Sequence, residues 1–148
     1  EGPFSPERTG GVPIGDLVKL CYSGKYSYEE LKKILSGNGG IVAYMNTNDF
    51  RTLEKEVIDG DAKAKLIYEA FIYQVGKEIG RCAAVLKGKV DAIILTGGIA
   101  YSKKVTAGIS EMVSFISPVV IYPGEDELLA LAQGGIRILK GEEKSKVY

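Results

Sequence analysis

An α/β fold with a short, mostly parallel sheet and helices packed on it is what this sequence predicts, and three observations carry it. Apolar runs of strand length occur at 41–45, after Val90, and at 119–122, and their Ile, Val and Leu content suits strands buried on both faces. Helical stripes alternate with these runs, as they do where parallel strands are joined by right-handed crossovers. Each run is also followed by a polar turn: NTND, TGG and PGED in that order. In an open α/β sheet such turns gather at the carboxyl ends of the strands, the edge where ligands bind.

Composition narrows the function classes. The 148 residues suffice for one domain with a sizeable core. Nineteen Lys and Arg balance nineteen Asp and Glu, so no net field favours nucleic acid or a membrane surface. Histidine is absent, and any chemistry must come from Arg, Lys, carboxylates or backbone. Cys21 and Cys82 lack metal-type spacing and read as two buried thiols of a cytoplasmic protein, a disulfide being the alternative. No apolar run reaches the roughly 18 residues of a membrane span, and no signal peptide is visible. A start at Glu1 without Met, followed by the loop-like EGPFSPERTGG, gives the expectation of a fragment.

The elements follow in order. Residues 1–13 hold three prolines and three glycines and read as an ordered arm carrying Arg8, whose plainest role is a solvated surface cation. Ile14 to Tyr22 has the pattern of a short helix ended near Gly24. Ser27 with Glu30 three residues on is a capping box for a second helix with Leu31, Ile34 and Leu35 on its apolar stripe. The run Ile41–Met45 is expected to be the first strand. Asn46, Thr47, Asn48 or Asp49 can each cap the helix after it. Arg51 in that helix's first turn opposes the helix dipole, which suggests an anionic partner or a side chain in solvent.

Asp61 can cap the longest helix, Ala62 to about Leu86, whose stripe of Ile67, Phe71, Val75, Ile79 and Cys82 reads as core. The second strand runs into Thr96, Gly97 and Gly98, and Ser102 opens a helix over 102–114. A glycine pair between strand and helix lets a ligand approach bare backbone, and it equally serves to fit the chain around a tight turn. Pro118 precedes the third strand, and Pro123-Gly124 turns into Glu125, Asp126 and Glu127, carboxylates that the dipole of the last helix favours without any ligand. Residues 140–148 read as a charged, frayed tail. Three polar turns on one sheet edge favour a nucleotide site at the glycine pair.

In that order and spacing the motifs resemble the C-terminal part of the butyrate kinases, in the acetate-kinase group of the actin/Hsp70/sugar-kinase superfamily. EGPFSPERTGG resembles the family's arm, in which an Arg precedes a Ser/Thr-Gly. VAYMNTNDFRTLE resembles its Ser-Ser-Asp-Phe/Leu-Arg segment, DAIILTGGIAYSKK its adenosine motif, and YPGEDELLALAQGGIRIL its closing strand and helix. The resemblance covers almost the whole chain.

What it implies is a fragment of an actin/ribonuclease H-like ATPase fold, divided as an arm with short helices over 1–38 and a nucleotide-binding half-domain over 39–148. The implied reaction is reversible phosphoryl transfer from ATP to a short-chain carboxylate such as butyrate, giving an acyl phosphate and ADP. Arg8 would stabilise the transferring phosphoryl group, to which a guanidinium can make two contacts. Asp49, Phe50 and Arg51 would lie beside the nucleotide, and Gly97, Gly98 and Ile99 would line the adenosine. Ser102 stands where acetate kinases carry Asn. One of Glu125, Asp126 and Glu127 would help hold Mg²⁺ through water. The phosphate loops and carboxylate pocket would belong to a missing N-terminal half, and the whole is expected to be a cytoplasmic homo-oligomer. Two rivals are a non-catalytic nucleotide-binding or assembly module and another kinase or ATPase of the superfamily.

Overall fold

A computed structural model of the chain describes residues 2–146. Two parallel strands form its sheet: β1 (Ile93–Gly97) pairs with β2 (Val119–Pro123), Ile93 opposite Val119 and Gly97 opposite Pro123. The crossover between them is a 3₁₀ turn (Gly98–Tyr101) followed by a helix over Lys103–Val113. Beyond the last strand pair, Gly97 and Gly124 exchange N–H···O bonds of 3.2 and 3.1 Å, which clamps the two turns together at the sheet's carboxyl edge.

The helices are α1 (Ile14–Cys21), α2 (Tyr28–Leu35), α3 (Gly40–Met45), α4 (Phe50–Ile58), α5 (Ala62–Val85), α6 (the Lys103–Val113 crossover) and α7 (Glu127–Leu139). Their starts follow the polar residues of the sequence. Ser27 and Glu30 form the capping box of α2, Asp49 caps α4 through Arg51 N–H, and Asp61 caps α5 through Ala64 N–H. Long α5 carries the core. Phe71 meets Phe4 of the arm and Phe50 of α4 at ring separations of 5.9 and 5.1 Å, and Ile41, Leu53, Val105 and Val113 are sealed from solvent around them. Among the described residues no helix is long and apolar enough to cross a membrane.

The segment 41–45 departs from expectation, since it is a helix and not a strand. Periodicity cannot separate the two in so short an apolar run. The arm decides it: Ile41 and Val42 donate their N–H groups to the carbonyls of Ser5 and Pro6 at 3.1 and 2.9 Å, so the helix start has its acceptors. Gly40, at φ +59°, lies so close under Ser5 that a Cβ there would come within 1.9 Å of its carbonyl oxygen. Among the described residues the sheet therefore has two strands where three were expected. The cysteines depart too. Cys21 and Cys82 are free but exposed, because each falls on the solvent side of its helix. Of the tail 140–148, Val147 and Tyr148 lie outside the described residues, while Glu143 is tied to Arg137 by a 3.2 Å ion pair.

Candidate functional site

The carboxyl edge of the sheet opens into a cleft of about 750 Å³ between the start of α4 and the glycine turn. One wall comes from Asn48, Asp49, Phe50, Arg51 and Glu54, and the other from Gly98, Ile99, Tyr101, Ser102 and Glu125. Pro6 of the arm also reaches its lining.

The α4 wall is organised by Asp49. Its carboxylate accepts Arg51 N–H at 2.9 Å, which caps the helix, and receives the Arg51 guanidinium through Nε at 2.9 Å and Nη2 at 2.7 Å. The bonds from the Arg51 side chain and then from its backbone N–H hold the Asp49 carboxyl below its ordinary range, and the same pairing raises the Arg51 guanidinium. The anionic partner that Arg51's position suggested is thus its own helix cap. Because the guanidinium is almost wholly in solvent, it is also available to a second anion.

On the opposite wall Gly97 takes φ +89°, a conformation open to glycine. The Gly98 N–H points to Glu125 Oε1 at 3.4 Å. A carboxylate thus stands over the backbone N–H group that an anion would have used. Ser102 caps α6: its Oγ accepts Val105 N–H at 3.1 Å and donates to the Glu54 carboxylate. Glu54 has no counterpart among the residues anticipated from sequence. The Ser102 bond spans 48 residues of sequence, a separation no local pattern signals.

Seven of the anticipated residues therefore share one cleft: Asp49, Phe50, Arg51, Gly98, Ile99, Ser102 and Glu125. Gly97, Asp126 and Glu127 border a shallower hollow on the far side of Glu125. Arg8 lines neither. Its backbone N–H bonds Ser5 Oγ at 3.1 Å and its side chain is exposed, although its neighbour Glu7 accepts a 2.7 Å bond from Asn48 on the cleft rim. Among the described residues no three carboxylates or thiols are grouped to hold a metal by themselves. A hydrated Mg²⁺ needs only one or two carboxylates beside substrate phosphates. The Asp126 side chain, which makes no cap hydrogen bond, and Glu125 at the cleft edge fit that demand.

The sequence profile of the acetokinase family matches residues 2–122. The chain is 64% identical over all 148 residues to butyrate kinase 1 of Clostridium acetobutylicum. It is 56% identical over 147 residues to a probable butyrate kinase 2 of Caldanaerobacter subterraneus. It spans 42% of the length of each. Among solved structures it superposes on acetate kinase of Porphyromonas gingivalis with a TM-score of 0.83 at 20% identity, over 94% of this chain and 41% of that one. Acetate kinase of Entamoeba histolytica gives 0.76 at 18% identity, over 91% and 43%. The likeness to these structures is one of fold, and the sequence relatives extend the likeness along the whole chain. This chain belongs to the acetokinase family.

Proposed function

We propose that this chain forms the nucleoside side of the cleft in a kinase that moves a phosphoryl group between ATP and a short-chain carboxylate, butyrate being the acid named in its relatives. The observation that carries the reading is the convergence of the Asp49–Arg51 cap, the Gly98–Ile99 turn and Ser102 on one cleft at the sheet's carboxyl edge. Gly98 and Ile99 offer a wall of backbone and apolar surface on which a base and ribose can lie. Arg51, already fixed by two carboxylate bonds, presents its exposed edge to phosphate oxygens.

In the reaction a carboxylate oxygen attacks the γ-phosphorus, the bond from that phosphorus to the β,γ-bridging oxygen breaks, and ADP leaves with the electron pair. The acid is already ionised at neutral pH, so no general base is needed. Catalysis then rests on positioning and on charge stabilisation. Arg8 would contribute a guanidinium to the transferring group once a second domain closes on the arm. Mg²⁺ would be held from the Glu125–Asp126 turn through water, and when bound it neutralises charge on the nucleotide phosphates.

Arg8's place outside the cleft lining favours a second reading, a nucleotide-binding module without chemistry. One experiment separates them. With the full-length gene product, butyryl phosphate formation from ATP and butyrate should fall at least about 100-fold in Arg8→Ala while ATP affinity changes less than about threefold, as for loss of a contact made in the transition state. Absence of acyl phosphate formation from the unaltered protein would overturn the kinase reading. The 148 residues alone should bind nucleotide without turnover.

A further inference from the structure

Glu54 sits half-buried in the cleft with its Oε1 engaged by Ser102 Oγ. Ser102 is itself immobilised, since its Oγ accepts Val105 N–H and its carbonyl accepts Thr106 Oγ1 at 3.0 Å. A helix cap thus holds the carboxylate. Among the described residues no donor reaches Glu54 Oε2 and no Lys or Arg pairs with it. Beneath the same spot lies the hydroxyl of Tyr68, a residue only 9% exposed, and that hydroxyl has no hydrogen-bond partner. Its polar neighbours are Ser102 and Glu54. The half-buried carboxylate has no countercharge and one oxygen unengaged, so the floor of the cleft holds an acceptor that lacks its donor.

The chemistry of that missing donor is restricted. An ionised carboxylate only accepts, so it requires an N–H or O–H. Phosphate oxygens at neutral pH offer few such groups and carry like charge, so the phosphates of a nucleotide are repelled from this part of the cleft. Because Ser102 occupies Oε1, a single oxygen remains free. It suits one donor and not the paired donors of a guanine edge.

We propose that Glu54, positioned by Ser102, is a specificity-determining residue of the cleft, its free oxygen accepting one hydrogen bond from an N–H or O–H donor on the nucleoside of the bound nucleotide. The proposal rests on the nucleotide reading above and assigns that reading's nucleoside contact to a particular atom. Two groups on ATP supply such a donor, the amino group of the base and a ribose hydroxyl. A site built around an unpaired acceptor rejects an analogue lacking the donor far more strongly than an apolar pocket does.

Calorimetry on the full-length gene product tests it, with ATP, its 6-desamino analogue, 2′-deoxy-ATP and 3′-deoxy-ATP titrated into wild type, Glu54→Ala and Glu54→Gln. Glu54→Ala should weaken ATP at least about tenfold. One analogue should bind wild type more weakly than ATP by a similar factor and bind Glu54→Ala as ATP does, and its identity names the donor. Glu54→Gln keeps an acceptor for Ser102 and safeguards the test if the alanine variant folds poorly; it should narrow the same ratio. ATP affinity within threefold of wild type in both variants, or analogue ratios untouched by either, would overturn the proposal and leave nucleotide binding standing. Wild type that binds no ATP would overturn the nucleotide reading and this inference with it.

Discussion

Asp49 carries two duties at one position. Its carboxylate terminates the backbone of α4 and grips the Arg51 side chain, and both interactions need the charged form. Its folded pKa is therefore depressed from the ordinary value of 3.8. For a depressed carboxylate the stabilisation is fully present above the unfolded pKa and is lost as pH falls through the folded one. The predicted window is accordingly below about pH 4. A melting series from pH 7 to 2 should show Asp49→Asn less stable than wild type at neutral pH, with the gap closing in that acid range. A gap that stays constant to pH 2 would mean the charge contributes nothing. The capping role was legible from the order of polar residues before Phe50. The pairing with Arg51 was not, because a side chain two residues away can fold back or point outward with equal ease on paper.

At the scale of elements, α3 is where local and tertiary preferences part. Its sequence, Gly-Ile-Val-Ala-Tyr-Met, is short and β-branched enough to pass for a strand. It is helical because the arm supplies carbonyls to its first N–H groups and because Gly40 can sit under Ser5 at positive φ. Replacement of Gly40 by Ala should cost about 2 kcal/mol or more, from a strained backbone and a contact with backbone that cannot step aside. Urea unfolding measures it, and a loss below about 0.5 kcal/mol would show that the arm does not grip α3 as described. The same arm brings Pro6 and Glu7 to the cleft, so loosening at Gly40 should reach the cleft rim through the Glu7–Asn48 bond.

For the whole molecule, surface is the informative quantity. The chain exposes 10941 Å², whereas a compact monomer of 15.9 kDa should expose about 7,400 Å². Large apolar side chains are among what it exposes. Helix α7 buries none of its residues and leaves Leu128, Leu131 and Leu139 in solvent, and Ile94 and Tyr122 stand open on a sheet of two strands. These 148 residues by themselves should bind a hydrophobic dye strongly and unfold with a shallow transition, and the full-length gene product should do neither. A sharp two-state transition without dye binding in the isolated chain would refute this.

The sequence by itself determined most of the helix starts, the long core helix and two of the strands, because capping residues, a 3.6-residue stripe and short apolar runs act through neighbours close along the chain, and the order and spacing of its motifs pointed to the family. Tertiary structure alone decided that 41–45 is a helix, that both cysteines face solvent, that Arg51 is spoken for by Asp49, and that Glu54 meets Ser102 across 48 residues. In most of these the deciding partner lies far off in sequence or on a face that only packing defines, and no local pattern records a contact whose other half is elsewhere.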